Sequence, residues 1–145
     1  MARKSRKMGY VDFTSHSIDI PASAEAVFHF TRDLNHFEKL MPEQVINWKS
    51  NEGDCEFDIK GMAHISLNKE EEIPFRSVII SSRPENPIEL KIKVLIDDQG
   101  KDHSTAQLVL SANLSPILQM MASSPLQNLV NIMAERLKGA MSSEF

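Results

Sequence analysis

The sequence predicts an α+β domain in which seven antiparallel strands form a curved sheet around one long C-terminal helix, with two short helices near the N-terminus. Three observations predict it. Apolar residues recur at a helical period of about 3.6 in two short segments before Pro42, and again beyond Pro116. Between them, from Ile46 to Ala112, apolar and polar residues alternate. Short clusters rich in Gly, Asn and Asp divide that alternating region, as hairpin turns do.

Residues 11–20 read as the first strand, with Phe13, Ile18 and Ile20 among hydroxyl-bearing neighbours, and Pro21 stops it. Ser23 is an N-cap for a helix over 24–31, whose apolar side carries Val27, Phe28 and Phe30. Asp33 caps a second helix over 34–41, with Leu34, Phe37, Leu40 and Met41 inward and Pro42 ending it. Ile46 and Trp48 then alternate with Asn47 and Lys49, and residues 51–54 turn the chain. Cys55, Phe57 and Ile59 share one face of the next strand, opposite Glu56, Asp58 and Lys60. Gly61 allows a turn into a strand through Ile65 and Leu67, and residues 75–82 form a fifth strand. Ile88, Leu90, Ile92, Val94 and Ile96 give the cleanest alternation, and Ala106, Leu108, Leu110 and Ala112 supply the seventh strand. Two-faced strands need a cover for their dry side. Residues 116–138 provide it, with Ile117, Leu118, Met120, Met121, Leu126, Leu129, Val130, Ile132, Met133 and Leu137 in a helical stripe. Pro125 is expected to kink that helix or split it in two.

The chain divides into a flexible basic tail over 1–10 and a single domain over 11–141. At 145 residues it can bury about 68–70% of its unfolded surface, so its core needs neither metal nor disulfide. Cys55, the single cysteine, alternates with acidic residues and reads as a small core side chain. Net charge is −4, but Arg3, Lys4, Arg6 and Lys7 all lie in the tail; without them 12 basic face 20 acidic residues, near −8. A body of that sign repels phosphate backbones, DNA included, and anionic lipid surfaces, although the basic tail can still touch either one. No apolar run reaches the roughly 20 residues of a transmembrane helix, and no secretory signal opens the chain, so a cytoplasmic protein is expected.

Catalytic motifs are sparse. His16, His29, His36, His64 and His103 lack metal-ligand spacing, and no phosphate loop, dinucleotide fingerprint or nucleophile elbow occurs, so no cofactor is expected. His64 should point outward, opposite Ile65 and Leu67. Glu70, Glu71 and Glu72 read as a solvated charge run, and Tyr10 is the single tyrosine.

The run Ile18-Asp19-Ile20-Pro21-Ala22-Ser23-Ala24-Glu25-Ala26-Val27-Phe28, followed by Asp33-Leu34-Asn35-His36-Phe37-Glu38-Lys39-Leu40-Met41-Pro42, resembles the opening of the SRPBCC superfamily. This is the helix-grip fold of START lipid-transfer domains and the birch-pollen allergens. Phe37 and Leu40 stand where tryptophans are common there, and residues 113–121 look like the entry to that family's last helix. The likeness spans residues 15–138 and rests on fold-determining positions. It implies a cavity between the concave sheet and the last helix, holding a lipid, quinone or polyketide-like molecule. The residues expected to line it are Ile46, Trp48, Phe57, Leu90, Ile92, Leu108, Leu110, Met121, Leu129 and Met133. The expectation is a non-enzymatic binder or carrier of a small apolar molecule. The alternatives are a polyketide cyclase or dehydratase, which needs a polar catalytic group in the cavity, and a module that binds protein or RNA.

Overall fold

A computed structural model describes residues 10–142 apart from 85 and 87; the basic positions Arg3, Lys4, Arg6 and Lys7, expected to form a flexible tail, lie outside the described residues. The strands are β1 (Tyr10–Thr14), β2 (Ile18–Ile20), β3 (Val45–Ser50), β4 (Asp54–Ile59), β5 (Ala63–Ile73), β6 (Ser77–Ser82), β7 (Glu89–Asp98) and β8 (Ser104–Asn113). They form one antiparallel sheet in the order β1-β8-β7-β6-β5-β4-β3, with β2 also paired to β8.

Eight strands replace the expected seven because the first divides at Ser15. Its N–H donates to the Leu108 carbonyl at 2.9 Å, while its hydroxyl accepts from Leu108 N–H at 3.0 Å. The side chain thus takes the place of a backbone acceptor, and β1 and β2 pair with separate stretches of β8.

Helix α1 (Ala24–Thr31) starts where Ser23 Oγ accepts from Ala26 N–H at 3.1 Å. The second short helix, Leu34–Leu40, is 3-10 rather than α. Leu34, Phe37 and Leu40 are three apart and all at most 1% exposed, so at three residues per turn they stack along one side of the segment. Asp33 caps it by accepting from Asn35 N–H at 3.0 Å.

The last helix, α2 (Pro116–Ser142), runs unbroken through Pro125, so of the two outcomes expected there, a kink or two consecutive helices, the division into two does not occur. Proline leaves the Met121 carbonyl without its helical donor. Met121 is 69% exposed, so the gap in the ladder falls on a residue that faces solvent. Ala122, Leu126, Val130, Met133, Ala134, Leu137 and Met141 form the buried stripe. It lies against β8, β1, β2 and the 3-10 segment, so the helix crosses one half of the concave face. Gln127 holds one flank through the Thr14 carbonyl at 3.1 Å, and the Arg136 guanidinium donates to the Met41 carbonyl on the other.

Candidate functional site

Because α2 lies over the β1, β2 and β8 side, a cleft of about 470 Å³ opens between its middle and the opposite sheet edge. Val45, Ile59, Leu126, Leu129 and Ile132 give it an apolar wall, and Pro42 and Pro125 also line it. Gln44, Lys60, Ser124 and Asn128 are exposed and form its polar rim. The sheet side is fixed by local bonds: Val45 N–H to the Pro42 carbonyl at 3.1 Å, and Lys60 N–H to the Gln44 carbonyl at 2.8 Å.

Of the residues expected to line a cavity, Leu129 borders this cleft. Phe57, Leu90, Ile92, Leu108, Leu110 and Met133 come together in the closed core, none more than 4% exposed. Met121 faces solvent, and Ile46 is 37% exposed. A bulge in β3 explains Ile46. Ile46 pairs with Asp58 and Lys49 with Glu56, so Asn47 and Trp48 together oppose Phe57. Asn47 takes a left-handed φ of 56°, and the pleat changes phase there. Ile46 therefore joins Asp58 on the outer face, while Trp48 turns inward and stacks on Phe57, centroids 5.2 Å apart at 10°. The Trp48 indole N–H is buried and has no hydrogen-bond partner among the described residues.

The cleft residues Val45, Ile59, Leu126 and Ile132 were not singled out as lining positions from the sequence, although Leu126 and Ile132 belong to the helical stripe. Alternation marks the inward face of each strand. It does not mark where along the sheet the helix stops covering it.

The outer face carries a polar cluster that strand pairing assembles. His64 Nδ1 lies 2.6 Å from Asp58 Oδ1 and Nε2 lies 3.1 Å from Glu56 Oε1, while Asn47 Nδ2 donates to Asp58 Oδ2 at 2.8 Å. The bond to Asp58, reinforced by Glu56, raises the imidazole above its ordinary range. Bonds from Asn47 and then His64 lower the Asp58 carboxyl. This cluster is exposed and lies on the sheet face opposite α2.

The acidic run on β5 is not simply solvated. Glu72 takes a two-pronged bond from Arg32, both contacts 3.0 Å, and Lys69 Nζ donates to the Arg32 carbonyl at 2.8 Å. Glu70 accepts from Ser81 Oγ and lies 3.4 Å from Lys91. Cys55 is buried, and desolvation, with Asp54 and Glu56 nearby, pushes its thiol up to about 12, so it stays protonated and unreactive. Among the described residues, no three His, Cys, Asp or Glu side chains converge as a metal site, and no helix is long and apolar enough to cross a membrane.

No protein-family model and no curated protein sequence matches the chain. Solved structures do. TTHA0849 from Thermus thermophilus is similar with a TM-score of 0.72 at 16% identity, over 92% of this chain and 99% of its own. A START superfamily protein from Mycobacterium smegmatis gives 0.67 at 12%, over 94% and 99%. Norcoclaurine synthase from Thalictrum flavum, solved with dopamine and hydroxybenzaldehyde, gives 0.65 at 10%, over 96% and 91%. The fold is therefore the helix-grip fold of START-like proteins. At these identities the likeness carries no activity with it.

Proposed function

We propose that the chain binds a small apolar molecule with one polar end in the cleft between α2 and the edge formed by β3 and β4. One observation carries this reading: a hollow of about 470 Å³, inside the usual range for small-molecule sites, has aliphatic walls and a rim of Lys60, Gln44, Ser124 and Asn128. The walls take the apolar body, and the ammonium and amide groups orient the polar end. A ligand burying roughly 300 Å² of apolar surface gains about 7–8 kcal/mol before entropic costs, which sets affinity near the micromolar range or weaker.

A carrier is favoured over a cyclase or dehydratase by the chemistry of the wall. Such an enzyme needs a histidine, carboxylate or tyrosine against the substrate, whereas this cleft offers an amine, two amides and a hydroxyl. Native mass spectrometry against a panel of fatty acids, lysolipids and quinones tests the reading. Uptake of at least one species is expected, and Leu129→Trp, which fills the cleft, should weaken it by ten-fold or more with unchanged far-UV circular dichroism. A wild-type chain that takes up none of the panel, or a Trp variant that binds as well as wild type, ends the proposal.

A further inference from the structure

The rim of the cleft carries one charge, and it is positive. Gln44, Lys60, Ser124 and Asn128 supply two amides, an ammonium and a hydroxyl, and no carboxylate lines the cleft. Lys60 follows β4 directly, and Gly61, with a left-handed φ of 74°, turns the chain into β5. The Lys60 N–H donates to the Gln44 carbonyl at 2.8 Å, so its backbone is fixed while the residue stays exposed. Lys69 and Lys91 each lie 3.4 Å from a carboxylate, Glu72 and Glu70. The Lys60 ammonium has no such partner among the described residues.

The acids close to Lys60 in the chain do not compete for it. Asp58 and Glu56 bond His64 on the outer sheet face, at 2.6 Å and 3.1 Å. Glu43 precedes Gln44, and Glu135 lies three residues after Ile132, but neither lines the cleft. A body near −8 opposes an extended anionic surface, which meets many of its acids at once. A single molecule with one anionic group sits against the rim, and charges beyond about 8 Å are largely screened at physiological salt.

We propose that the cleft takes an alkyl carboxylate and that Lys60 selects its charge; this rests on the reading of the cleft as an apolar-ligand site. The wall is aliphatic, with no aromatic side chain to stack on a planar ring, which suits a flexible alkyl chain. One ammonium beside two amides matches the single charge and two oxygens of a carboxylate. A phosphate monoester, with more charge and three free oxygens, calls for arginine or a helix N-terminus. No arginine lines the cleft, and α2 begins at Pro116, about two turns before Ser124.

Titration calorimetry of the full chain at pH 8 with decanoate, decan-1-ol and decyl phosphate tests this. Decanoate is expected to bind at least about five-fold tighter than decanol, with the gap narrowing as salt rises. Lys60→Gln should bring decanoate to within about two-fold of decanol and leave decanol unchanged. Lys101→Gln, on the exposed turn between β7 and β8, should keep the preference. Lys60 is exposed, so a thermal melt of Lys60→Gln matching wild type is expected to separate lost selection from lost fold. If decanol binds as tightly as decanoate and Leu129→Trp weakens both, charge selection is overturned while the apolar-ligand reading stands. If none of the three binds, both fall. Decyl phosphate binding tighter than decanoate, or a preference that survives Lys60→Gln, also overturns the proposal.

Discussion

At the scale of single residues, His64 shows how much charge chemistry an exposed side chain can carry. Its folded-state value is raised above the ordinary 6.5, first by the bond to Asp58. The pairing therefore contributes fully below about 6.5 and fades as pH rises through the raised value. Asp58 runs the other way: lowered from 3.8, it contributes above that value and loses its share as pH falls through the lowered one. The two windows overlap in mildly acidic solution. His64→Gln is expected to cost stability there and little in alkaline buffer, measured as urea midpoints across a pH series. Parallel midpoint curves for variant and wild type would show that the imidazole pairing does not stabilise the fold.

Among elements, β3 and α2 both contain a residue that breaks local rules. Asn47 tolerates its left-handed backbone because asparagine does so better than branched residues, and its side chain is tied to Asp58. Asn47→Val should destabilise by about 1–2 kcal/mol in chemical denaturation and shift Trp48 emission as the bulge relaxes, whereas Asn47→Gly should keep the emission of wild type. A valine variant of full stability would mean that the bulge is not held by this position. In α2, Pro125 interrupts the hydrogen-bond ladder beside exposed Met121. Pro125→Ala restores a donor and should raise stability by on the order of 1 kcal/mol, read as a higher Tm. The bulge at Asn47 leaves no mark in the apolar pattern, whereas Pro125 announces its irregularity in the sequence.

For the molecule as a whole, the central fact is lopsided coverage: α2 presses on β8, β1 and β2 and leaves the β3 and β4 edge standing off. One helix consequently has a core stripe, a cleft wall and an exposed apolar end. Two methionines measure the contrast. Met133 is fully buried and Met120 is 85% exposed. Met133→Ala should cost about 2–5 kcal/mol through the cavity it leaves. Met120→Ala should stay within about 0.5 kcal/mol. Similar losses from both would contradict the placement of the helix.

Element order, the inward face of most strands and the caps at Ser23 and Asp33 are legible in the amino-acid order, because they follow from periodicity and from side chains bonding neighbouring backbone. Leu90, Ile92, Val94 and Ile96 are all buried, as their alternation implies. Tertiary structure decided the rest. The bulge that separates Ile46 from Trp48 arises from pairing with β4, and the cluster of His64, Asp58 and Glu56 exists once β4 and β5 align. The lateral position of α2 depends on packing against strands far away in sequence, so the cleft and the exposed helix end could not be read from local pattern. Periodicity tells each element which side to bury; long-range packing sets how far across the sheet that burial extends.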